Sequence, residues 1–145
     1  MAATLFHLAF PVADIPRTKQ FYAEGLGCEV GRETKDSVIL NLYGHQIVAH
    51  VTTEPLTPQS SIYPRHFGLV FTQEADWEAL LARAQSNQLT FYQHPKRRFP
   101  DSPLEHRTFF LQDPFGNFLE FKVYRYAAAI FGEREHQQIG DRAPT

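Results

Sequence analysis

The chain has 145 residues, enough for one compact domain or two very small ones sharing a core. Its 43% hydrophobic and 21% charged residues suit a globular protein with a real core, and a net charge of −2 gives no electrostatic case for nucleic acid. The single Cys28 excludes an internal disulfide and a cysteine-based zinc cage. No run approaches the ~20 apolar residues of a membrane span, and the first residues lack the basic start and cleavage site of a signal peptide, so the expected setting is cytoplasmic.

In chain order, residues 5–12 read as a strand stopped by "PVADIP". Asp14 stands as the N-cap of a helix with Pro16 in its first turn. Ile15, Thr18, Phe21, Tyr22 and Leu26 recur at helical spacing, and Gly25 or Gly27 ends the helix. "CEVGRET", "SVILNLYG" and "HQIVAHVTT" read as three strands, the last two joined through Tyr43-Gly44. The stretch 54–64, with three prolines and two serines, is the one linker-like segment. The order then repeats. "HFGLVF" is a strand, and "EADWEALLARAQSNQ" a helix with Trp77, Leu80, Leu81 and Ala84 on one face. "LTFYQHP", "RTFFLQDPFG" and "NFLEFKVY" supply three more strands, with a tight turn at "DPFGN". The basic run "HPKRRF" reads as a solvated loop or a local anion contact, and residues 127 onward as a short helix followed by a disordered end.

The expected organisation is therefore module 1 at about 5–53, the linker at 54–64, module 2 at about 65–126, and a tail over 127–145. His7 opens the first strand of one module and His66 that of the other. In the last strand of each module, Gln46, Val48 and His50 share a face, as do Phe118, Glu120 and Lys122. His50 and Glu120 are taken to stand at equivalent places. If the modules pack with two-fold symmetry, His7, His66, His50 and Glu120 converge, and two histidines with a carboxylate are a facial set for Fe(II). Glu120, flanked by apolar residues, would be costly to bury without a partner. His45 reads as a turn residue and His136 as part of the tail. His94 and His106 flank the loop "PKRRFPDSPLE", which has the placement of a flap over a pocket.

The segments "HLAFPVADIPRTKQFYAEGLGCEVGR", "HFGLVF" and "FFLQDPFGNFLEFKVY" resemble the vicinal oxygen chelate superfamily over residues 5 to 126. This superfamily holds glyoxalase I, extradiol dioxygenases, fosfomycin-resistance enzymes and bleomycin-binding proteins. With "GHQIVAH" and "LEFK" included, the chain looks most like small predicted extradiol-type dioxygenases. The resemblance implies an α+β fold of two βαβββ modules forming an incomplete barrel around a metal. It also implies His7, His66 and Glu120 as metal ligands and His50 as an acid–base residue or fourth ligand. A homodimer that pairs modules between subunits is implied as well. The tyrosine usual in extradiol enzymes, about ten residues before the carboxylate, falls here on or near Phe110.

The expected function is a mononuclear metal-dependent dioxygenase acting on a small molecule chelated through adjacent oxygens, with Fe(II) as the leading metal and Ni, Zn or Mn as alternatives. Arg107, Phe110 and Tyr124 are the expected substrate-binding residues, with Arg107 and the "KRR" run as candidates to hold a substrate carboxylate. A glyoxalase-type isomerase or lyase, with Glu120 as base, and a non-catalytic drug-binding module stay open beside it. No nucleic acid or membrane is expected as a partner.

Overall fold

The computed structural model describes residues 4–140. Strand β1 (His7–Val12) leads into helix α1 (Ile15–Lys19), then a π-helical segment over Gln20–Gly25. Asp14 caps α1 by accepting from the Arg17 N–H at 2.8 Å, as the sequence indicates. Gly27, at φ 90°, takes the left-handed turn that releases the chain toward the next strand. There follow β2 (Glu29–Glu33), β3 (Ser37–Leu42) and β4 (His45–Val51), giving one sheet in the order β1-β4-β3-β2. The second module repeats the plan with β5 (Phe67–Phe71), α2 (Glu74–Ser86), β6 (Phe91–Arg98), β7 (His106–Gln112) and β8 (Phe118–Tyr124). Its sheet runs β5-β8-β7-β6. In each sheet the first strand lies parallel to the last, and the other pairs are antiparallel.

Alternation along each strand decides what each sheet face does. Phe10, Val12, Val38, Leu40, Leu42, Ile47 and Ala49 from the first sheet join Phe71, Phe109, Leu111, Leu119, Phe121 and Val123 from the second in one core. Tyr22 from the π-helical segment and Trp77, Leu80 and Ala84 from α2 complete it. Polar ties reinforce this joint. The Tyr22 hydroxyl donates to Asp113 at 2.7 Å, and the Asn117 amide donates to the Pro11 carbonyl at 2.9 Å. Arg83 on α2 and Asn87 at its C-terminal end donate to the carbonyls of Glu24 and Gly25, occupying acceptors that the end of the π-helical segment leaves open. Asp113 also accepts from Phe115 N and Asn117 N, which locks the tight turn before β8.

The other sheet faces differ between modules. In module 2 that face carries Phe110 and Phe118, packed under Ile62 and Tyr63 of the linker. In module 1 it carries His7, Ala9, Pro11 and His50, all exposed. The two sheets do not close into a barrel.

Three expectations change. The basic run is a strand, not a loop: β6 extends to Arg98, with Pro95 accommodated on an edge strand whose pairing shifts register twice. After β8 the chain makes one 3₁₀ turn, Ala127–Ala129, and is then irregular to Gly140, with Phe131 93% exposed and little apolar surface to hold a helix. The expected disordered end reaches residues 141–145, outside the described residues. Finally, pairing registers align His7 with Gln46 and Phe67 with Leu119. Superposing His7 on His66 therefore brings Glu120 onto Val48, and His50 onto Lys122. His50 and Glu120 are not equivalent; a two-residue offset separates them.

Candidate functional site

The non-core face of module 2 gathers the polar chemistry. His66 lies one residue before β5, and its imidazole packs edge-on against Phe110 with ring centroids 5.1 Å apart. Its Nδ1 meets the Ile62 carbonyl at 2.8 Å; a carbonyl only accepts, so Nδ1 carries a proton and Nε2 is left for the site. Nε2 lies 3.2 Å from Oε1 of Glu120. Glu120, 6% exposed, is gripped on its other oxygen by the Thr108 hydroxyl at 2.6 Å. Arg98 Nη1 stands 3.8 Å from Oε2 and Lys122 Nζ 3.8 Å from Oε1.

Burial alone would raise the Glu120 pKa. Its hydrogen bond to His66, the Lys122 ammonium, the Thr108 hydroxyl and the Arg98 guanidinium outweigh that and hold it at about 2. His66 moves the other way: the hydrogen bond to Glu120 lifts its pKa despite partial burial. In the metal-free pair both shifts favour an imidazolium facing a carboxylate.

The donor chemistry fits a cation in place of the shared proton. Nε2 and Oε1 converge while Nδ1 and Oε2 are secured elsewhere, and two donors at about 2.1 Å from one cation stand roughly 3 Å apart. Within one chain the set stops at two. Among the described residues, no three His, Cys, Asp or Glu side chains form a group able to hold a metal. His7 and His50 lie on the open face of the other sheet. His7 pairs through Nδ1 with the Gln46 side-chain amide at 2.7 Å, which leaves its Nε2 as the available nitrogen.

Of the expected substrate residues, Phe110 supports His66, and Tyr124 lies on the same face with its ring 4.8 Å from that of His106. Arg107 does not join them. It alternates to the helix-covered face, where it binds Glu74 and Glu78 at 2.7 Å each and lies 4.4 Å over the Trp77 ring. The guanidinium beside the carboxylate is that of Arg98, 6% exposed and 5.6 Å over the Phe110 ring. Sequence reasoning misses Thr108, and it has Arg98 only as part of the "KRR" run, a candidate anion contact on a loop. Thr108 has a signal, because its parity in "RTFFLQD" matches that of Phe110; nothing singles Arg98 out within the basic run or shows that it is buried once that run is read as a loop. Beside His66, a cleft of about 580 Å³ opens between the modules, walled by Phe10, Leu56, Phe67, Phe115 and Phe118.

Comparison with known proteins agrees with this architecture. The family model for the glyoxalase/bleomycin resistance protein/dioxygenase superfamily matches residues 4–121. A crystal structure of a glyoxalase/bleomycin resistance protein/dioxygenase from Alicyclobacillus acidocaldarius is similar at 36% identity and TM-score 0.84, covering 89% of this chain and 97% of that one. The fosfomycin resistance protein FosX from Listeria monocytogenes shares the fold at 14% identity and TM-score 0.66, covering 89% of this chain and 99% of its own. A mutant of that protein, crystallised with Mn(II) and 1S,2S-dihydroxypropylphosphonic acid, covers 94% of this chain and 100% of its own at the same identity and score. No curated protein matches the chain. With the family model spanning most of its length and the paired βαβββ modules behind it, the chain belongs to the glyoxalase/bleomycin resistance protein/dioxygenase superfamily.

Proposed function

We propose that the protein is a mononuclear divalent-metal enzyme for a small anionic molecule that chelates through two neighbouring oxygens, each centre being completed by a second copy of the chain. The observation that carries this reading is the His66–Glu120 pair at 3.2 Å, sheltered in module 2, while His7 stands on the uncovered face of module 1. His66 and Glu120 of one copy, with His7 of another, would hold the metal. When bound, the cation supplies Lewis acidity and orients the two substrate oxygens. Thr108 keeps the carboxylate aimed, and the Ile62 carbonyl keeps the His66 tautomer. Arg98 and Lys122 add positive charge beside a carboxylate whose own charge the metal would neutralise, which favours an anionic substrate. The Phe10, Leu56, Phe67, Phe115 and Phe118 wall of the cleft beside His66 suits its carbon skeleton. The Mn(II) and dihydroxyphosphonate held by a FosX mutant support chelation of this kind in this fold.

Complementation tests the assembly. Variants His7→Ala and Glu120→Ala should each lose metal binding. Mixed under subunit exchange, they should recover up to one metal per mixed dimer. Full metal affinity in His7→Ala, or no recovery on mixing, would overturn it.

Extradiol-type dioxygenation with Fe(II) is the second reading, favoured by His50, an exposed imidazole on the same face as His7 and suited to accept a phenolic proton. Protein reconstituted with Fe(II) without air and given a catechol panel should then consume O₂, and His50→Ala should abolish the uptake. Turnover of a hemithioacetal without O₂ would point instead to isomerase chemistry. Drug binding retained in both ligand variants without metal would point to a sequestering module.

A further inference from the structure

His106 opens β7 on the same face as Thr108 and Phe110, opposite Tyr124 across the β7–β8 pairing. It is 4% exposed. Nδ1 donates to the Leu104 carbonyl at 2.9 Å, so the remaining nitrogen, Nε2, is an acceptor; it is buried and makes no hydrogen bond among the described residues. Burial, with Lys122 and Arg98 nearby, lowers the His106 pKa, so the lone pair is free near neutral pH. A buried acceptor left unmade is costly to the fold.

A second anomaly sits against the first. The ring of Phe99 lies 6.0 Å from His106, and its backbone is at φ 50°, a region unfavourable to a bulky side chain. Asp101, two residues on, is at φ 60°. The loop carrying both is held from behind by Glu105, which accepts from Arg97 at 2.6 Å, Asp101 N at 2.7 Å and Arg125 at 3.1 Å. His106 and Tyr124 also line a hollow with Pro100, Asp101 and Arg125 at this end of the sheet. The loop thus keeps an aromatic plug in a strained conformation beside an unused acceptor. That acceptor belongs to a residue about 7 Å along the strand from Thr108, whose hydroxyl touches Glu120.

We propose that His106 sets substrate specificity: its Nε2 accepts a hydrogen bond from a hydroxyl group on the end of the anionic substrate remote from its chelating oxygens, once the Phe99 ring moves aside. This rests on the metal centre proposed above and adds the chemical feature that the substrate must carry.

Zn(II)-loaded protein titrated calorimetrically with straight-chain α-hydroxy acids of graded length, each with and without a terminal hydroxyl, tests it. At one chain length the terminal hydroxyl should tighten binding about three- to tenfold. In His106→Phe that ratio should fall to one, and in Phe99→Gly, which relaxes the backbone and removes the plug, it should grow. The His106 Nε2 resonance in ¹⁵N spectra should move only with the hydroxylated acids. Zn(II) and the plain acids binding with no gain at any chain length, or a gain that survives in His106→Phe, overturns this inference alone. Failure of the wild-type protein to bind Zn(II) removes the metal centre, and the inference with it.

Discussion

The carboxylate of Glu120 is stable in a buried setting only because four donors or cations surround it, so single-residue changes there have calculable signs. In metal-free protein, its lowered pKa contributes stability that is present above the ordinary value of 4.5 and lost as pH falls toward about 2. His66, whose pKa is raised, contributes stability that is present below 6.5 and lost as pH rises through its folded value. The stability difference between wild type and Glu120→Gln, measured by urea unfolding with chelator present, should therefore be largest between pH 4.5 and 6.5. It should be on the order of 3 kcal/mol and shrink on both sides. Metal affinity should instead climb as pH rises through the raised His66 pKa, because the cation must displace the His66 proton. Arg98→Leu should weaken binding of an anionic chelator to the loaded protein about tenfold or more while leaving metal uptake intact, read by calorimetry.

Each strand's parity is legible in its alternation, but it is the repeated order of elements and the family resemblance that point to His66 and Glu120 meeting across a separation of 54 residues. Register is not legible. Alternation repeats every two residues, so it cannot distinguish Val48 from His50 as the counterpart of Glu120, and only the parallel pairing of β1 with β4 and β5 with β8 decides. The buried role of Arg98 is hidden because an edge strand interrupted by Pro95 lacks the apolar run that marks strands elsewhere. Close packing of the elements also makes their glycines testable. A methyl group on Gly68 would collide with the backbone of Glu120, across the β5–β8 pairing. Gly68→Ala should cost about 3 kcal/mol or more and disturb Glu120 with it, visible as a lowered melting midpoint and weakened metal binding. Tyr22→Phe removes one of several donors to Asp113, and urea unfolding should show a loss of about 1–2 kcal/mol.

For the whole molecule, a single core shared by both modules implies that they unfold together rather than in sequence. One residue in that core gives this a direct readout. Cys28, the only cysteine in the chain, is 7% exposed, and burial pushes its thiol up to about 12, so almost none is thiolate at neutral pH. Folded protein should resist a maleimide for hours and react within minutes in denaturant. The native thiol is therefore a built-in clock for the opening of the fold. A second cysteine placed on the open face of module 1 could be labelled selectively with a dye, leaving the native one untouched as the internal reference.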